Sequence, residues 1–148
     1  VATITRREGR KKVKTGSIRT LGKHLVAELW GRSPHLLNSP DHVRDSLLAA
    51  AQRGRLTVVR IDVHAFSPHG VTGILLLAES HMSIHTWPEY CYAAFDVFTC
   101  AGDPWAAFEE LKARLDIERA DVQELDRGIL GTLPSRPAYL AWPRKRAV

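Results

Sequence analysis

The 22 residues from Glu79 to Cys100, ESHMSIHTWPEYCYAAFDVFTC, gather most of the reactive side chains in the chain. They include Ser80, His81, His85, Trp87, Glu89, Asp96 and both cysteines, Cys91 and Cys100. Serine, histidine and carboxylate can carry acyl transfer, and histidine with carboxylate can bind metal, so spacing has to decide. A nucleophile elbow needs glycines two residues on either side of the serine, where this chain has Ala78 and Met82. Zinc chemistry of the HExxH kind needs glutamate after the first histidine and a helix; Met82 stands there, and the segment reads as a strand. His81 and His85 would face the same way on a strand, but the pair alone falls short of a metal site, and none is assigned. No glycine-rich phosphate loop accompanies them.

The surrounding elements follow from hydrophobic period and turn chemistry. Leu21–Trp30 is apolar enough for a first strand, and 31–39 reads as a loop around Pro34. Ser39-Pro40-Asp41 starts a helix as N-cap, first-turn proline and first-turn acid; Val43, Leu47, Ala50 and Ala51 recur at helical spacing, and Gly54 stops it. Leu56–Phe66 alternates, with Val59, Ile61, Val63 and Ala65 predicted on one face and Arg60, Asp62, His64 and Phe66 on the other. Ser67-Pro68-His69-Gly70 turns into a strand over 71–78. His81, Ser83 and His85 then share a polar face opposite Met82 and Ile84, and Pro88 ends the run. Tyr92–Cys100 is a further strand. Asp103-Pro104 opens a second helix with a stripe of Trp105, Phe108, Leu111 and Leu115, and Ile117–Leu125 reads as a last strand. Two helices packed on one face of an antiparallel sheet is the economical arrangement: an α+β fold, a two-layer α/β sandwich.

The chain has 148 residues, 45% of them hydrophobic and 25% charged, which suits one globular domain. No apolar run approaches the roughly 18 residues of a membrane span. Two cysteines are too few for a disulfide framework, so a cytoplasmic setting is expected, with no membrane partner. The net charge of +5 is concentrated at the ends. Seven Arg and Lys residues oppose the single acid Glu8 within residues 1–20, and Arg144, Lys145 and Arg146 lie near the other end. Residues 1–19 read as a basic disordered arm, 20–128 as the folded domain and 129–148 as a proline-rich basic tail. Basic arms can bind nucleic acid, but the strands lack an RNP-like aromatic pattern, and nucleic acid is not an expected partner.

The segment GVTGILLLAESHMSIHTWPEYCYAAFDVFTC, with LGKHLVAELWG before it and DPWAAFEELK after it, resembles the prokaryotic S-adenosylmethionine decarboxylase proenzymes over roughly Leu21–Asp126. The resemblance implies that the chain makes its own cofactor. Ordinary side chains offer no electron sink for a carbanion, whereas a ketone joined to the substrate amine as a Schiff base does. By resemblance, Ser80 attacks the Glu79 carbonyl, and the resulting ester eliminates and hydrolyses to a pyruvoyl group at former Ser80. His85 matches the histidine that promotes this processing, and Cys100 the cysteine that returns a proton to the substrate carbon.

The substrate so implied is S-adenosylmethionine, and the product the aminopropyl donor for polyamine synthesis. Phe66 and Trp87 are placed to wall the adenine or simply to fill the core. Glu89 is a candidate for ribose hydroxyls or the sulfonium, and Glu28 matches an acid near the family's site. Thr72 stands where relatives commonly have a processing serine; it keeps the hydroxyl on a stiffer, β-branched side chain. Cys91 stands where the family usually has glycine and is read as a spectator. The same chemistry on arginine or ornithine remains an alternative, and a homodimer with sites near its interface is implied.

Overall fold

The computed structural model describes residues 3–7 and 20–130. In chain order these form β1 (Thr3–Arg7), β2 (Thr20–Gly31), α1 (Pro34–Leu37), α2 (Pro40–Arg53), β3 (Val58–Ala65), β4 (Val71–Leu77) and β5 (Ser80–Trp87). A single 3-10 turn (Pro88–Tyr90), β6 (Tyr92–Thr99), α3 (Pro104–Arg114) and β7 (Ile117–Ile129) follow. The strands make one seven-stranded sheet ordered β1-β7-β2-β6-β5-β4-β3. β2 to β7 pair antiparallel, and β1 joins the edge of β7 in parallel. The expected α+β sandwich is what the chain forms.

Local chemistry explains the helices. The Ser39 side chain accepts from the His42 N–H at 3.2 Å, and Pro40 occupies the first turn. Asp103 caps α3 by accepting from the Trp105 and Ala106 N–H groups at 3.0 Å. Val43, Leu47, Ala50 and Ala51 of α2 and Ala107, Phe108 and Leu111 of α3 are fully buried against Leu25, Leu29, Leu75, Met82, Ile84 and Val97 of the sheet. Helix and sheet approach closely at Gly73, where an added Cβ would lie 2.6 Å from Leu47 Cδ1. Truncating Phe108 to alanine in such a core costs about 3–5 kcal/mol.

Four details depart from the sequence reading. The 31–39 loop contains the one-turn α1. Val59 is 61% exposed, because a register shift between Val58 and Arg60 turns it out of the core and leaves Val58, Ile61 and Val63 facing inward. β7 runs on to Ile129, past the expected end at Leu125. Within the arm expected to be disordered, Thr3–Arg7 pairs with Arg119–Gln123 of β7. The rest of that arm, and the tail beyond Leu130, lie outside the described residues.

The sheet face away from the helices is covered by no element among the described residues. Cross-strand register arranges it in rows. Leu76, His81, Phe98 and His24 form one row, Ile74, Ser83, Asp96 and Val26 the next, and Thr72, His85, Ala94 and Glu28 a third. Ile74 and Leu76 on β4, one strand in from the β3 edge, are 46% and 52% exposed, an apolar strip among polar neighbours.

Candidate active site

Glu79 and Ser80 sit where β4 turns into β5, with Leu77 paired to Ser80 across a two-residue turn. Ser80 has φ +154°, a region that essentially only glycine occupies at low cost, so the Glu79-Ser80 junction is held in a strained conformation. Three contacts over-determine it. The Glu79 carbonyl accepts the backbone N–H of Cys100 at 3.3 Å. The Glu79 carboxylate accepts from the Thr57 N–H at 2.9 Å, and this bond holds it below the usual carboxylate range. Ser80 pairs with Thr99 of β6, which sets Cys100 beside the turn. The Cys100 side chain is exposed, on the rim of a small cavity of about 110 Å³ that Lys23, Gly22 and Pro104 also line. Its main-chain N–H, not its thiol, makes the Glu79 contact.

His85 lies at the other end of β5. Its Nδ1 is 2.8 Å from Thr72 Oγ1 on β4, the pairing that the register Thr72–His85 enforces. Phe66, His69, Thr72, His85, Trp87 and Glu89 surround a cavity of about 450 Å³. Within it, His69 Nε2 is 3.2 Å from Glu89 Oε2, while Phe66 and Trp87 are 52% and 41% exposed. The aromatic candidates are therefore not core residues. Glu28 accepts a hydrogen bond from the Tyr92 hydroxyl; burial, reinforced by this acid, pushes that hydroxyl up to about 12. The structure thus joins Thr72, His85, Phe66, Trp87 and Glu89 in one place and Glu79, Ser80 and Cys100 in another. At about 3.4 Å per residue the five-residue step from Ser80 to His85 is about 17 Å. On one chain the two groups do not meet.

Between them lies a network that the sequence reading left out. Asp96 Oδ2 accepts from His24 Nε2 and His81 Nε2, each at 3.0 Å, and Oδ1 accepts from the Ser83 hydroxyl. Burial alone would raise the Asp96 carboxyl; the bonds from Ser83, His24 and His81 outweigh it and hold the group below its ordinary value. Arg127 Nη1 donates to His24 Nδ1 at 2.9 Å, and Ser80 Oγ is 3.3 Å from His81 Nδ1. The only advance signal for His24 is its place in LGKHLVAELW, where it alternates with Leu25, Ala27 and Leu29. The ligand atoms of His24, His81 and Asp96 lie within 4.8 Å of one another, close enough to surround a metal ion. Arg127, however, donates to His24 Nδ1, which puts the ring proton on Nε2 and aims it at Asp96. The arrangement is complete as a hydrogen-bond network and does not fit a metal without displacing Arg127.

A family model described as S-adenosylmethionine decarboxylase matches residues 23–128. The S-adenosylmethionine decarboxylase proenzyme of Thermotoga petrophila is 43% identical over 113 residues, covering 75% of this chain and 87% of that protein. The proenzyme of the same name from Methanococcus maripaludis is 42% identical over 115 residues, covering 76% and 94%. Among solved structures, the adenosylmethionine decarboxylase of Aquifex aeolicus superposes with a TM-score of 0.71 at 38% identity, covering 80% of this chain and 99% of that one.

Proposed function

The chain belongs to the S-adenosylmethionine decarboxylase family, and we propose that it is a proenzyme that cuts itself between Glu79 and Ser80 and decarboxylates S-adenosylmethionine. The observation that carries the reading is the Glu79-Ser80 junction: a non-glycine φ of +154° at the turn, with a main-chain donor on the carbonyl that would be attacked. Residues fit the implied group, since Ser80 supplies its atoms and Cys100 stands beside it. A pyruvoyl ketone there would supply the electron sink for loss of the substrate carboxyl.

The rest is work for side chains of this chain. Ser80 Oγ attacks the Glu79 carbonyl carbon, giving an ester; loss of the Ser80 α-proton then expels Glu79 as a carboxylate. His85 is the base for that proton and Thr72 orients its imidazole from Nδ1. The Cys100 thiol returns a proton to the substrate carbon after carbon dioxide leaves. Phe66 and Trp87 give the adenosyl group its walls, with Glu89 and Glu28 as acids toward the ribose or the sulfonium. The names of the relatives favour S-adenosylmethionine over arginine or ornithine, and an enzyme over a nucleic-acid-binding module.

This assignment requires two copies. A base about 17 Å from its proton is useless, since transfer needs hydrogen-bond reach. Two sheets packed through their open faces, about an axis crossing the strands, would lay the Ser80 end of one on the His85 end of the other. The exposed Ile74 and Leu76 on β4 offer that packing apolar surface to bury. The working form is therefore a homodimer whose sites take Ser80 and Cys100 from one copy and Thr72 and His85 from its partner.

Intact mass tests the cleavage: fragments 1–79 and 80–148 are expected, the second without a free amine. Ser80→Ala should stay folded, uncut and inactive. Release of carbon dioxide from carboxyl-labelled S-adenosylmethionine, and not from labelled arginine or ornithine, tests the substrate. Two fragments from Ser80→Ala would end the cleavage reading.

A further inference from the structure

We propose that His81, not His85, is the base that starts self-cleavage, acting through a Ser80–His81–Asp96 relay. The inference deepens the self-cleavage reading and rests on it. Cutting the chain needs two proton abstractions at different atoms: first from Ser80 Oγ, later from Ser80 Cα. His85 has been assigned the second. The first needs a base of its own, because a serine hydroxyl is a weak nucleophile until a base takes its proton.

The geometry supplies one. Ser80 Oγ lies 3.3 Å from His81 Nδ1, and His81 Nε2 lies 3.0 Å from Asp96 Oδ2. The carboxylate fixes the tautomer: Nε2 carries the ring proton and donates it to Asp96, leaving the Nδ1 lone pair toward Ser80. Neighbouring strand residues ordinarily point to opposite faces, and the φ of +154° at Ser80 accompanies the approach of its hydroxyl to the next side chain. Asp96 in turn is held by three donors, His24, His81 and Ser83, and Arg127 orients His24 from behind. Its carboxyl is kept ionised, which suits it to steady an imidazolium. A contact of 3.3 Å is long for a finished bond and ordinary for a nucleophile and base before reaction.

The step balances. The Ser80 O–H bond breaks and its proton passes to His81 Nδ1 while Oγ bonds to the Glu79 carbonyl carbon. The carbonyl electron pair moves onto oxygen, where the Cys100 N–H already points. As the tetrahedral centre collapses, the C–N bond breaks and Nδ1 returns the proton to the Ser80 nitrogen. The amide has become an ester with nothing oxidised, reduced or lost. His81 touches the reacting atom and is catalytic in this step; Asp96 acts through it as a positioning residue.

The test separates the two histidines by the bond on which each variant stalls. Hydroxylamine cuts esters and leaves amides. Precursor of His85→Ala should accumulate ester and be cut by hydroxylamine. Precursor of His81→Gln should remain an amide, resist hydroxylamine and cleave at least 100-fold more slowly than the unaltered chain. The double variant should resist as His81→Gln does, because the first step is blocked. Asp96→Asn, which keeps shape and removes charge, should also give a hydroxylamine-resistant precursor, with partial rescue by Asp96→Glu; it stands in if His81→Gln does not fold. Unaltered cleavage in His81→Gln, or ester accumulating in either His81→Gln or Asp96→Asn, would overturn the proposal. An unaltered chain that never cuts at Ser80 would instead overturn the reading beneath it.

Discussion

The placement of Ser80 and His85 at opposite ends of β5 makes a quantitative forecast for mixed dimers. Ser80→Ala lacks the proposed nucleophile and keeps His85; His85→Ala keeps that nucleophile and lacks the proposed base for the α-proton. Each should remain uncut when expressed alone. If the five-residue step of about 17 Å keeps the two groups apart within a chain, a mixed dimer contains one site with both groups intact. Random pairing at equal expression puts about half of the His85→Ala chains opposite a partner with intact His85. All chains so paired can be cut, so about half of the His85→Ala chains should be cut and total decarboxylase activity should approach about one quarter of normal. The assay is co-expression with two tags of different length, read by denaturing gel and by labelled carbon dioxide release. Pull-down through one tag establishes that mixed dimers exist. Mixed dimers with no cut His85→Ala chain would refute the shared site, and normal cutting of His85→Ala alone would refute the role of His85.

Cys100→Ala should separate maturation from turnover, because the main-chain N–H that contacts Glu79 survives the substitution while the thiol does not. Cleavage should stay within a few-fold and turnover fall by about 100-fold or more, with the short chain acquiring an alanine terminus during incubation with substrate; mass spectrometry reads both. Asp96 is held below its ordinary value of 3.8, so its bonds stabilise the fold above that pH and cease to do so as pH falls through the lowered value. The unaltered chain should exceed Asp96→Asn by about 1–3 kcal/mol in urea unfolding near pH 7, and the gap should close as pH falls through the lowered Asp96 value. Cys91 adopts a left-handed φ of +50° after the 3-10 turn, so Cys91→Gly should raise stability by about 0.5–1 kcal/mol, measured as an upward shift in Tm.

What the sequence made legible was local. Period-two alternation placed His81, Ser83 and His85 on one face and Met82 and Ile84 on the other, and the structure keeps that division. Ser39-Pro40 and Asp103-Pro104 began the helices they signal. The exposed Val59 was out of reach, since a bulge is set by pairing with β4 and leaves no mark in alternation. The Asp96 network was hidden for the same reason. His24, His81, Asp96 and Arg127 come from four strands or strand ends, and one sequence does not disclose the register that stacks them. The resemblance grouped Ser80, His85 and Cys100, and alternation put His85 on a face with His81 and Ser83; neither discloses that strand length separates His85 from Ser80 within one chain.

Under the proposed self-cleavage, the order of strands has a consequence for the life of the molecule after the cut. Residues 1–79 contribute β1 to β4 and residues 80–148 contribute β5 to β7, yet the sheet runs β1-β7-β2-β6-β5-β4-β3. One fragment is thus threaded through the other, with β7 clasped between β1 and β2 and the β5-β6 pair between β4 and β2. Breaking one peptide bond at a turn leaves every ladder intact, so the pieces should stay together through gel filtration without any covalent link. Reassembly is another matter. The uncut precursor folds as a single chain, whereas denatured fragments must find each other, and recovery becomes second order in concentration. Dilution should leave recovery of the precursor's sheet unchanged and slow that of the mature form's sheet, with dimer assembly a later, concentration-dependent step in both. The proposed cut would therefore leave a fold maintained chiefly by the height of its unfolding barrier.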